Sequence, residues 1–179
     1  SSTPIELGHL ALESRSGETI TLDQHLETSS TEGLVVIQDG SIVYERYLNG
    51  LQPDTRHLLA SVTKSMCATL LGIEIAKGTL TREALVADVA PEFAGTSVAD
   101  ATVGQIIDMT AGTAFEEMHD RLSEQGQVSD VTRFMQQAGT IPLGGEEPIG
   151  MLALFRQFGL AYPHGDHFEY RTPLTCAMG

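Results

Sequence analysis

The stretch "HLLASVTKSMCATLLGIEIAKG", residues 57–78, decides how this chain is read. Its apolar residues recur at helical spacing, with Met66, Leu70 and Ile73 on one face and Cys67, Leu71 and Ile75 on a second. A helix apolar on two sides is expected to sit centrally in a fold. The pattern predicts a helix over about 61–77, stopped by Gly78. Yet Ser61 and Lys64 stand at its start, and Lys64 is one of only two lysines in the chain.

Residues at i and i+3 are neighbours on one helix face, so Ser-x-x-Lys brings a hydroxyl and an amine together. A serine in the first turn also lies beside the positive end of the helix dipole, which favours developing negative charge. A lysine takes a serine proton only when neutral, and an apolar surrounding disfavours its charged form. An apolar helix is therefore the setting that a nucleophile with an amine base needs. The motif alone is weak, because a random chain of this length holds about one such pattern at average usage. Lysine scarcity and the place at the mouth of a helix give it weight. Tyr170, in "HGDHFEYRTPLTCAMG", is the candidate second proton carrier, since a tyrosine near an amine can pass a proton to a leaving group. The plainer account of Tyr170 is a packed core tyrosine.

Upstream, "GLVVIQDGSIVYERYLNG" (33–50) places two β-branched and aromatic runs around Asp39-Gly40, a hairpin signal. Strands are expected at about 34–38 and 41–47. "ITLDQHLETSS" (20–30) reads as a short helix through Leu22 and Leu26. Downstream, "LTREALVADVAPEF" is a turn or short helix ended by Pro91. "TVGQIIDMTAG" (102–112) is a helix closed by Gly112. "VSDVTRFMQQAG" (128–139) is a helix capped by Ser129 and Asp130 and packed through Val131, Phe134 and Met135, and "GMLALFRQFGL" is one more helical segment. The order gives an α+β layout whose sheet is left incomplete.

Composition bounds the rest. The 179 residues are 41% hydrophobic, enough for a core, and carry a net charge of −14, which opposes binding to nucleic acid. No apolar run approaches a membrane span, so no membrane partner is expected. The start "SSTPIELGHL" leaves the compartment open: cytoplasmic, or periplasmic or secreted if that end is a processed one. Cys67 and Cys176 form no framework and are expected to be buried free thiols. No cofactor or structural metal is expected. "HGDH", with His164, Asp166 and His167, has neither helix nor strand spacing for a metal. "SDV" at 129–131 is a helix cap. Glu116 and Glu117 are read as a solvated loop rather than as paired catalytic carboxylates.

Three stretches together resemble a known superfamily: "VVIQDGSIVYERYLNGLQPDTRHLLASVTKSMCATLLG", "VADVAPEFAGTSVADATVGQIIDMTAG" and "GDHFEY". They look like the serine β-lactamases and penicillin-binding proteins, on the class C and esterase side, and most like the 6-aminohexanoate-dimer hydrolases. The resemblance implies a β-lactamase/transpeptidase-like α+β fold. In it, 1–179 forms one incomplete domain: helix and hairpin at 20–60, a mainly helical part at 61–165, and a catalytic-tyrosine segment at 166–179. It implies Ser61 as nucleophile, Lys64 as its base, Tyr170 as second proton carrier and the Ser61 N–H as one oxyanion donor.

The resemblance also assigns residues to substrate. Where the family places a substrate-holding tyrosine, this chain has His119. Two residues after the tyrosine, where class C enzymes carry asparagine and the hydrolases serine, it has Thr172. The family's third motif, a Lys-Thr-Gly-like or His-x-Gly-like strand, is absent, and only nine residues follow Tyr170. The expectation is a first part of a longer protein, with the C-terminal strands supplied by a further segment or second chain; a homo-oligomer is also open. The implied function is a metal-free serine hydrolase of small esters or short linear amides. The alternatives are a β-lactamase or D-Ala-D-Ala peptidase-like enzyme and, from another class, a non-catalytic binding module or inert fragment.

Overall fold

The computed structural model describes residues 5–117, 128–145 and 147–178, and it divides into two compact units, residues 1–58 and 59–179. In the first unit, β1 (Ala11–Glu13) pairs antiparallel with β2 (Thr19–Thr21). α1 (Leu22–Thr28) follows at once. Thr21 starts it with a capping box: its hydroxyl accepts the Gln24 N–H, and the Gln24 side chain accepts the Thr21 N–H. Leu26 is the buried residue of this helix.

β3 (Gly33–Gln38) and β4 (Ser41–Tyr47) form the expected antiparallel hairpin, from the pair Gly33–Tyr47 to the pair Gln38–Ser41, with a register shift between Val36 and Ile37. Asp39 (φ 49°) and Gly40 (φ 74°) both take the left-handed conformation that a tight two-residue hairpin requires. Val43 and Tyr44 are buried, whereas Val35, Ile37 and Ile42 are exposed. The β1–β2 ribbon has no counterpart in the sequence reading. Three-residue strands are too short to show a period of two.

The second unit holds α2 (Val62–Ala76), α3 (Val86–Val89), α4 (Val103–Ile107), α5 (Asp130–Gln137) and α6 (Met151–Phe155). Its core is a cluster that includes Val86, Phe93, Val98, Ile106, Met109, Phe115, Phe134, Leu154, Phe155, Phe158 and Leu174. The phenylalanines meet edge to face, Phe155 with Phe93 and Phe158, and Phe158 in turn with Phe115 at 5.2 Å between ring centroids. Ser129 caps α5 through the Thr132 N–H, as the sequence predicts.

Two expectations are corrected. The helix expected over 102–112 is only Val103–Ile107, because Met109 at φ 53° cannot continue a right-handed helix. Gly112 therefore closes no helix. A Cβ there would lie 1.8 Å from the Tyr162 carbonyl oxygen, so glycine is required for close passage of two chain segments. The second correction concerns α2. It is expected to be enclosed, yet none of its residues is buried. Cys67, Ala68 and Leu71 pack on the core, while Met66, Leu70 and Ile73 are 54%, 65% and 45% exposed. Apolar periodicity shows which faces seek cover, not which of them the described residues cover.

Candidate active site

Ser61 occupies the N-cap of α2, but it does not cap: its backbone is helical (φ −69°, ψ −9°) and its side chain makes no capping bond. The residue before it, Ala60, stands at φ 43°, a conformation a Cβ makes costly. The sharp entry into the helix leaves the hydroxyl available to a different partner. Lys64 Nζ donates to Ser61 Oγ at 2.9 Å, the contact that i,i+3 spacing predicts. Lys64 Nζ also lies over the Tyr170 ring, 5.1 Å from its centroid. Three residues chosen from sequence thus converge, two from one helical turn and one from a segment 106 positions on.

They line a pocket of about 290 Å³ with Ser65, Ala68, Ile107, Met109, Phe168 and Met178. Lys64 is half-buried there rather than sealed from water. The Tyr170 phenol feels opposing influences. Burial pushes its pKa up, but hydrogen bonding to Lys64 and Ser61 and the charge of Lys64 outweigh this, and it ends below the ordinary tyrosine range. Glu117 acts in the other direction, by like charge on the phenolate.

The tyrosine segment is held by long-range contacts. The Glu169 N–H donates to the Met109 carbonyl at 3.0 Å, and the Arg171 N–H reaches the Met109 sulfur at 3.5 Å. Arg171 is buried and pairs with Glu169. Beyond them, Pro173 and Leu174 sit in a buried 3-10 turn, Thr172–Ala177.

Other candidates fall differently. Thr172 donates its backbone N–H to Glu117 Oε2 at 2.8 Å and its hydroxyl to Glu117 Oε1. Glu117 is therefore no solvated loop residue: it is half-buried and bonded to the tyrosine segment. Nothing in the local pattern "FEEMHD" distinguishes it from Glu116, which is why sequence reading misses it. His119 lies outside the described residues. The "HGDH" histidines have other partners. His164 Nδ1 accepts the Gly112 N–H at 3.0 Å and its Nε2 faces Asp100; His167 pairs with Asp166 and packs on the Tyr162 ring. Cys67 and Cys176 are free but only half-buried, and burial pushes the Cys176 thiol up.

A strand hairpin, a helical unit and a Ser-x-x-Lys turn facing a tyrosine define a class of fold and site, and comparison with known proteins agrees. The Beta-lactamase family model matches residues 21–173, and the chain belongs to that family. A 6-aminohexanoate-dimer hydrolase of Paenarthrobacter ureafaciens is 33% identical over 109 residues, covering 61% of this chain and 28% of the relative. A solved structure, "Putative 6-aminohexanoate-dimer hydrolase from Bacillus anthracis", superposes with a TM-score of 0.81 at 22% identity, over 99% of this chain and 47% of that one. The chain therefore spans less than a third of the curated relative's length and about half of the solved chain. The fold is β-lactamase-like, and the family and relatives are of hydrolase type.

Proposed function

We propose that Ser61 is the nucleophile of a serine hydrolase that cleaves carboxylic esters or short linear amides through an acyl-enzyme. The observation that carries this reading is the 2.9 Å contact of Lys64 Nζ with Ser61 Oγ, with the Tyr170 ring 5.1 Å from the same nitrogen. That distance is within reach of direct proton transfer. With Lys64 in its neutral form, Ser61 Oγ attacks the carbonyl carbon while its proton passes to the free lone pair of Lys64 Nζ. The C=O bond opens to an oxyanion, with the Ser61 N–H at the start of α2 as one donor to it. As the tetrahedral species collapses, Tyr170 gives a proton to the departing alcohol or amine and takes one back from Lys64. Water then attacks the acyl group, the acid leaves, and Ser61 regains its proton.

A depressed pKa makes the Tyr170 phenol a stronger acid, which suits this transfer. No step calls for a metal or cofactor. Short linear amides are favoured among substrates by the 33% identity to a 6-aminohexanoate-dimer hydrolase. Of the two residues assigned to substrate, Thr172 has its hydroxyl proton engaged by Glu117, which leaves its oxygen as an acceptor for a substrate N–H. His119 is the other proposed contact.

The test is turnover by the intact protein of a p-nitrophenyl ester, a linear 6-aminohexanoate dimer and a chromogenic cephalosporin. Cleavage of the ester and dimer, abolished by Ser61→Ala, supports the reading. Preference for the cephalosporin moves it to β-lactams. Binding of these compounds without turnover makes the protein a binding module.

A further inference from the structure

Tyr170 differs from Ser61 and Lys64 in what fixes it. The residue is 38% exposed and belongs to no helix or strand. Its place depends on how its backbone neighbours are tied. The Arg171 N–H donates to the Met109 sulfur, a weak acceptor. One residue further, Thr172 gives both its N–H and its hydroxyl to the two oxygens of a single carboxylate, that of Glu117. Hydrogen bonds to an ionised acceptor are the stronger kind, and a two-point contact also sets direction. Glu117 itself stands on a fixed backbone. Phe115 is buried in the aromatic cluster, and the Glu116 N–H donates to Asp130, the first residue of α5.

We propose that Glu117 is a positioning residue for the tyrosine: by binding Thr172 at two points it holds the chain beside Tyr170, and so keeps the phenol against Lys64 and Ser61. This rests on the reading of those three residues as the reacting trio. Its hold on the tyrosine segment runs through Thr172. Its charge also opposes that of Lys64 at the phenol. Among the described residues, Lys64 and Glu117 are the charged groups that act on Tyr170, and Ser61 is its neutral neighbour.

The experiment compares the intact parent with Glu117→Gln, Glu117→Ala, Thr172→Val, Thr172→Ser and Ser61→Ala on a p-nitrophenyl ester, with rates corrected for folded fraction by thermal melting. Misplacing a reacting group by about 1 Å costs on the order of a hundredfold. Glu117→Ala is expected to approach that loss in kcat with little change in KM. Glu117→Gln, which keeps the shape but accepts less well, should lose about tenfold. Thr172→Val loses one bond and should fall less, with Thr172→Ser above it because the hydroxyl remains.

The pH profile separates position from charge. Activity that needs the protonated phenol is lost as pH rises through the Tyr170 pKa. Removing the Glu117 charge lowers that pKa, so the basic limb moves to lower pH in Glu117→Gln and stays in place in Thr172→Val. If both Glu117 variants retain parental kcat while Ser61→Ala is inactive, the inference fails and the reading stands. If Ser61→Ala retains activity, the reading itself fails. A loss that only follows folded fraction, with no limb shift, makes Glu117 structural and overturns the inference.

Discussion

The first turn of α2 and the segment Glu169–Thr172 deliver side chains to the same pocket, but they are built on different principles. In α2 the spacing of Ser61 and Lys64 is set by helix geometry, so the 2.9 Å contact follows from the chain's local conformation. The tyrosine segment has no such ruler. Its backbone is set by Met109 in a left-handed conformation, by Glu117, and by the buried turn that follows. A site assembled this way joins one locally encoded half to one half that depends on the whole unit. Damage should differ accordingly: changes in the α2 turn remove chemistry and leave the fold, whereas changes around the tyrosine disturb both.

The largest test of that contrast is Ser61→Ala. It should reduce ester turnover by about ten-thousandfold or more, because under the proposed mechanism Ser61 is the nucleophile and has no substitute. The melting temperature should stay within about a degree, since the side chain is exposed and caps nothing. Lys64→Met should follow, with a loss of about a thousandfold, within the range that general acid–base groups contribute. Tyr170→Phe should lose about a hundredfold by the same reasoning, while keeping substrate binding. A Tyr170→Phe loss as large as that of Ser61→Ala would break the division of roles.

Gly112→Ala probes the other half. A Cβ 1.8 Å from the Tyr162 carbonyl must push apart the two chain segments that pass there, and the expected cost is about 3 kcal/mol of stability. Denaturant unfolding measures it; a cost under about 1 kcal/mol would mean that the tyrosine side is as locally determined as the α2 turn. The smallest effect is spectroscopic. Lys64 favours the phenolate, so Tyr170 should ionise at lower pH than Tyr47, whose pKa is raised by its bond to Glu45, and Tyr162, raised by burial. The tyrosinate absorbance of the parent minus that of Tyr170→Phe isolates it. In Lys64→Met the same difference should move to higher pH.

The same contrast explains what was legible in sequence. The Asp39-Gly40 hairpin, the Ser129 cap and the Ser61–Lys64 pair are local, and a spacing rule reaches each of them. Tyr170 is legible only through the chemistry that a lysine beside a serine calls for, together with family resemblance. Glu117 is not legible, because a carboxylate two residues from a buried phenylalanine looks solvated until the segment 55 positions later folds onto it. The end of α4 is hidden because nothing in "IIDMTAG" announces a methionine with positive φ, and the exposure of α2 is hidden because apolar character says nothing about what lies opposite.

The most direct measurement is fluorophosphonate labelling of the intact protein, with the modified peptide identified by mass and the rate compared across variants. The account predicts one labelled peptide, carrying the adduct on Ser61, with labelling slowed strongly in Lys64→Met and less in Tyr170→Phe. Labelling at another residue, or a Lys64→Met variant that reacts as fast as the parent, would contradict it.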